Sequence, residues 1–219
     1  MTITLDEETH VYRVEGRIVR GFHEMMAPLG LWDEYAAIRD GQHGEYRARA
    51  LANAKARGSQ IDDACSLIME GKYTPEHDAL LSDEARPYVD AYREFWATIP
   101  GIPGERRGLC VQTPLYSATL DFCCTPDWHT SMSVTDIKAT SKCSRTWGLQ
   151  TAAQQLAHGS ASDRRIIWLR PDLKGRKYEA HSGQYMNRRI FSALDFDVVK
   201  AAAQGDYDAD CIRRWRAGG

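Results

Sequence analysis

Three side chains in the stretch LDFCCTPDWHTSMSVTDIKATSK (residues 120–142) have the types and spacing for chemistry: Asp121, Asp136 and Lys138. Each falls in a run of apolar residues that reads as a buried strand, where an ionised group is costly unless something pairs with it. A divalent cation is an economical partner, because carboxylates from adjacent strands can converge on it through oxygen. Asp136 and Lys138 stand two apart, so on a strand they share one face. A cation held beside an ammonium group lowers the pKa of bound water and offsets charge building on a phosphate. The pattern therefore predicts metal-assisted phosphodiester hydrolysis.

The acid-x-Lys triplet occurs three times: Glu70-Gly71-Lys72, Asp136-Ile137-Lys138 and Asp172-Leu173-Lys174. The outer two sit beside glycine or proline in expected turns. Only the middle one lies in an apolar strand, with a strand-borne aspartate upstream and a glutamine-bearing helix downstream.

The elements that must position these residues follow from periodicity. Residues 2–20 alternate and turn at Glu15-Gly16, which predicts a hairpin. Residues 45–70 predict a helix, with Gly58 as a break or a close backbone approach. Residues 83–97 predict a second helix capped by Ser82. Residues 108–125 read as two strands around Pro114, and residues 131–140 as a third. WGLQTAAQQLAHG (147–159) returns to a helix that stops at Gly159. A closing hairpin, a helix from about Asn187 and a polar tail complete the chain. The order predicts one α/β domain over 1–219, a central mixed β-sheet flanked by helices.

Size and composition agree. The 219 residues, 43% apolar, suffice for one core. The net charge of −2 means that any grip on nucleic acid must come from locally gathered basic residues. Six cysteines without a CxxC pair read as free thiols rather than a zinc or iron–sulfur site. No run approaches the length of a membrane span and the N-terminus does not read as a signal peptide, so the expectation is a cytoplasmic protein with no membrane partner.

ATLD with Asp121, VTDIK with Asp136 and Lys138, and LQTAAQQLA with Gln150 resemble the core of PD-(D/E)XK nucleases, in particular the RecB-type and phage exonuclease branch. LDEETHVYRVEG and IIWLRPDLKGRKYEAH resemble small phage-type members, so the likeness runs over roughly residues 3–200, with only the central block specific. The resemblance implies a restriction-endonuclease-like core and a deoxyribonuclease of DNA recombination, repair or phage DNA processing. It implies Mg²⁺ or Mn²⁺ on Asp121, Asp136 and the Ile137 carbonyl, with Glu105 as a further ligand. Lys138 is then the catalytic lysine, and Gln150 touches substrate or organises the site.

Related sequences place a metal-reaching histidine where RGSQIDDA has Asp62, an oxygen donor that also suits Mg²⁺. Ala118 stands for a glycine, and Gln154 for a tyrosine in substrate handling. Arg145, Trp147 and Gln154 are the expected nucleic-acid contacts. Arg164, Arg165, Lys174, Lys177, Arg188 and Arg189 are candidates for a phosphate groove, and Trp128 for stacking. His129 reads as an exposed turn residue. DNA is the implied partner, with a single-strand annealing protein or a second copy of the chain as further ones. Two alternatives stay open: a nuclease fold that binds without cutting, and a structure-specific endonuclease.

Overall fold

The computed structural model describes residues 1–42, 44–98, 108–140, 143–169, 179–182 and 190–218. The alternating N-terminus forms three antiparallel strands, β1 (Ile3–Asp6), β2 (Val11–Val14) and β3 (Arg17–Gly21). Glu15 and Gly16 between β2 and β3 have φ of 49° and 81°. Two successive positive φ values twist a two-residue turn to match the strands it joins. Two short helices follow, α1 (Phe22–Met26) and α2 (Asp33–Arg39), and then α3 (Glu45–Met69), α4 (Pro75–Leu80) and α5 (Arg86–Thr98).

Helix α3 runs its 25 residues without a break. Gly58 lies inside it, and a Cβ added there meets nothing within 4 Å, so this glycine is neither a break nor an internal close approach. Gly58→Ala should therefore stabilise the fold by about 0.5–1 kcal/mol, read from urea unfolding, by narrowing the unfolded ensemble.

The strand region is more finely cut than the sequence predicts: β4 (Cys110–Val111), β5 (Leu115–Ser117), β6 (Phe122–Cys124), β7 (Trp128–His129) and β8 (Ser133–Lys138). Helix α6 (Thr146–His158) carries the chain across to β9 (Asp163–Trp168), which lies parallel to β8 in the register Ser133↔Asp163 to Lys138↔Trp168. A parallel neighbour requires such a crossover. Strand β10 (Glu179–Ser182) pairs antiparallel with β9. Within the described residues the expected C-terminal helix is α7 (Asp195–Ala203), and the expected polar tail instead holds α8 (Asp210–Arg216), with Val198, Val199, Ile212 and Trp215 in the core.

The protein is mixed α/β. Two five-stranded ladders, β1-β2-β3-β6-β5 and β10-β9-β8-β7-β4, make a curled mixed layer flanked by helices. Alternate residues of β8 and β9 serve opposite layers. Ile137 and Ile167 pack with Ile61, Cys65, Val89 and Tyr92 of α3 and α5. Ile166 packs with Trp147 of α6. Burying each large apolar side chain contributes about 1.5–3 kcal/mol. Asp136 and Lys138, two apart on β8, share the face that looks toward α6. Among the described residues no helix is long and apolar enough to cross a membrane.

Candidate active site

The site begins with a hairpin. Strands β7 and β8 pair through Trp128↔Thr135 and His129↔Val134, and the turn between them is tied by Thr130 N–H to the Ser133 carbonyl at 2.9 Å. Continuing that register one step sets Asp127 opposite Asp136. Pro126 precedes it and has no N–H to offer a ladder, so Asp127 stands at the end of β7 rather than within it. Its Oδ2 accepts a hydrogen bond from the Ile137 N–H. In an extended strand the N–H and C=O of one residue point to the same edge, so the Ile137 carbonyl also faces the Asp127 side.

Asp136 is 2% exposed. Its Oδ1 accepts hydrogen bonds from Gln150 Nε2 at 2.8 Å and Gln154 Nε2 at 3.1 Å. Lys138 Nζ lies 2.5 Å from Oδ2, a close ion contact whose alignment leaves Oδ2 without a hydrogen bond. Lys138 Nζ also donates to Gln150 Oε1 at 3.0 Å. The two glutamines are four apart on α6 and so present one face to the strand. Gln150 thus holds the carboxylate with one end and the ammonium with the other.

Asp62 joins this group from α3. Burial pushes its carboxyl up to about 7, with Lys138 pulling it down and Asp136 and Asp63 pushing it up. Burial also raises Asp127 well above the usual carboxylate range, and Asp136 and Asp62 add to this against Lys138 and the Ile137 N–H. For Lys138, burial favours the neutral form, but Asp136, Asp127 and Asp62 outweigh it and the net shift is upward. One ammonium therefore faces three carboxyl groups whose mutual repulsion helps to hold protons on Asp62 and Asp127.

A sign follows for stability. A carboxyl raised above its ordinary 3.8 to about 7 binds its proton more tightly in the folded chain. Its contribution is complete below the unfolded value and is lost as pH rises toward 7. Thermal melts of metal-free protein should show stability falling between pH 4 and 7, and Asp62→Asn should flatten that fall.

The structure separates the expected residues into two sets. Asp136, Lys138, Ile137, Gln150 and Asp62 come together. Asp121 does not, and its assignment as a metal ligand is corrected. It has φ of 50° in the tight turn between β5 and β6, which ends one strand before it and begins the next after it. Its exposed carboxylate takes hydrogen bonds from Arg17 Nη2 at 2.5 Å, Arg17 Nη1 at 3.0 Å and the Tyr116 hydroxyl at 2.8 Å. The Arg17 and Tyr116 hydrogen bonds hold it below the usual carboxylate range. Asp127 stands where Asp121 was expected.

Two of the three expected nucleic-acid contacts, Trp147 and Gln154, are buried, and their assignment is corrected. Gln154 is 1% exposed and braces Asp136 instead of reaching for substrate. Trp147 is buried against Ile166 and Ile190, and Trp128 against the α3–α5 cluster. The Arg145 guanidinium lies 4.7 Å over the Trp215 ring. Arg164 is buried on Asp195, and Arg165 bonds Asp163. His129 is not an exposed turn residue but is buried on β7, its ring 5.1 Å from that of His158. Glu105, Lys174, Lys177, Arg188 and Arg189 lie outside the described residues.

Sequence reasoning missed two residues. Asp127 had a signal, the Pro126-Asp127 pair nine positions before Asp136. His23, at the start of α1, had none. Its ring packs edge-on to Trp32 at 5.0 Å, and desolvation of the ring, then repulsion from Lys138, lowers its pKa.

The donor chemistry fits a hard divalent cation: oxygen donors, carboxyl groups crowded closely enough to raise Asp62 and Asp127, and a buried Asp136 Oδ2 that accepts no hydrogen bond. Among the described residues no three His, Cys, Asp or Glu side chains are arranged to grip one ion as they stand. A cation would thus draw on two carboxylates, the Ile137 carbonyl and oxygens from water or substrate. No protein-family model matches the chain, and no curated protein matches its sequence.

Proposed function

We propose that this chain is a metal-dependent DNA nuclease of the PD-(D/E)XK kind, with Asp127 and Asp136 as its metal ligands and Lys138 as its catalytic lysine. The observation that carries the reading is the meeting of Asp127, Asp136 and Lys138 across one hairpin, joined by Asp62 and Gln150 from two helices. With Asp127 in place of Asp121, Pro126-Asp127 and Asp136-Ile137-Lys138 supply both halves of the motif.

A cation held by these oxygens would neutralise charge on the scissile phosphate and acidify the attacking water. Lys138 supplies the rest from the protein. Its carboxylate neighbours keep it protonated, so it acts as a hydrogen-bond donor and fixed positive charge at the phosphate rather than as a base. Gln150 aims it, because the amide that accepts from Lys138 also donates to Asp136. Gln154 fixes the same carboxylate from one turn further along α6.

One observation favours the non-cutting alternative: Asp136 is already engaged by Lys138 and both glutamines. Incubation with linear and closed circular DNA separates the readings. An exonuclease degrades the linear form with Mg²⁺ or Mn²⁺ and not with chelator, and spares the circle. Cleavage of the circle makes it an endonuclease. Failure to cut either form with either ion rejects catalysis.

A further inference from the structure

Helix α3 is built in two unlike halves. The C-terminal half buries Ile61, Ala64, Cys65 and Met69 and carries Asp62 into the site. From Glu45 to Ala56 only Ala48 and Leu51 are partly covered, and Tyr46 is 86% exposed. Arg47, Arg49 and Lys55 stand exposed on this half and, among the described residues, make no ion pair. Arg57 differs, since it bonds Glu84 at 3.0 Å. In a chain of net charge −2, three cations against the one acid Glu45 on this half of the helix are a local excess.

Helical geometry sorts them. At about 100° and 1.5 Å per residue, Lys55 lies about 20° around the helix from Asp62 and about 10 Å back along it. Arg47 lies about 60° around on the other side of Asp62, about 80° from Lys55, and about 22 Å back, whereas Arg49 is about 140° away, on the far side. Gly58 falls between Lys55 and Asp62. Glycine weakens a helix, and here no neighbour in the protein requires it, since an added Cβ meets nothing within 4 Å. What the glycine does provide is bare backbone beside the line from Lys55 to Asp62.

We propose that Lys55 and Arg47, with bare Gly58 between Lys55 and the site, form a track on α3 that holds the phosphate backbone of the DNA strand leading to Lys138 and Asp136. The track rests on the nuclease reading and adds to it the path of the substrate. It also supplies the local basic surface that the overall charge does not.

The test is binding of a fluorescein-labelled linear DNA duplex without divalent cation, followed by anisotropy against salt, with cleavage in Mg²⁺ measured separately. Arg47→Gln with Lys55→Gln should weaken binding at least tenfold and flatten the plot of log affinity against log salt by about 0.9 for each phosphate no longer neutralised. Arg49→Gln, equally exposed on the wrong face, should bind within twofold of wild type. Gly58→Leu should weaken binding while its melting temperature stays at or above that of wild type, since leucine is the better helix former. Wild-type affinity in the Arg47/Lys55 variant, or an equal loss in Arg49→Gln, overturns the track and leaves the nuclease reading standing if wild type cleaves. Weakened binding of the expected size in a protein that never cleaves keeps the track and rejects the nuclease. Wild-type protein that binds no DNA rejects both.

Discussion

Asp127→Asn should lower single-turnover DNA cleavage at least about a hundredfold, while Asp121→Asn leaves it within twofold of wild type. Losing one preorganised electrostatic group at a reacting phosphate costs on the order of 10²–10³ in rate. Asparagine keeps the size of Asp127 and an oxygen to accept the Ile137 N–H, so the loss reports the missing charge and not a collapsed hairpin. Asp121 is engaged by Arg17 and Tyr116 in an exposed turn. The opposite ranking of the two variants would return the metal to the β5–β6 turn and undo the site described above.

The largest stability effect is expected away from the chemistry. Asp195, fully buried, accepts from Trp215 Nε1 at 2.8 Å and from the Ser192 N–H at 2.9 Å, and lies 3.0 Å from Arg164 Nη2. Arg164 in turn donates to the Gly148 and Ser192 carbonyls and sits under Phe191 and Phe196. One carboxylate thus ties α7 to α8 and to β9. Gly148 permits the closeness, since a Cβ there would come within 2.6 Å of Asp195 Oδ2. Removing one partner of a buried pair strands the other's charge, so Asp195→Ala should cost about 3–5 kcal/mol by urea unfolding. A loss below about 1 kcal/mol would show that the pair is not holding the C-terminal helices in place.

The sequence was legible where one period or one turn decided the matter. Glu15-Gly16 named its hairpin, the stripe of Leu149, Ala152 and Ala153 gave α6, and the Asp136–Lys138 spacing put both groups on one strand face. It was illegible where two local signals competed. Asp121 reads as strand because Leu120 and Phe122 flank it, yet aspartate tolerates positive φ well, and that tolerance is what the turn uses. Asp127 sits beside a proline and therefore reads as loop, but the β7–β8 register carries it opposite Asp136, where the ladder stops. Gln154 carries a polar side chain on an apolar helix, and only the structure shows Asp136 as its partner. The last helix was hidden because Trp215 anchors it on Asp195 across 20 residues, which periodicity cannot detect.

The proposed chemistry requires a cation seated between the end of β7 and the face of β8. Titrating Mn²⁺ into the metal-free protein by calorimetry measures that seat without any choice of DNA. Wild-type protein should bind the ion, Asp121→Asn should bind it equally, and the Asp127→Asn, Asp136→Asn double variant should show no binding heat. Equal Mn²⁺ binding by the double variant and wild type, or none by wild type, would contradict a metal seat at this hairpin.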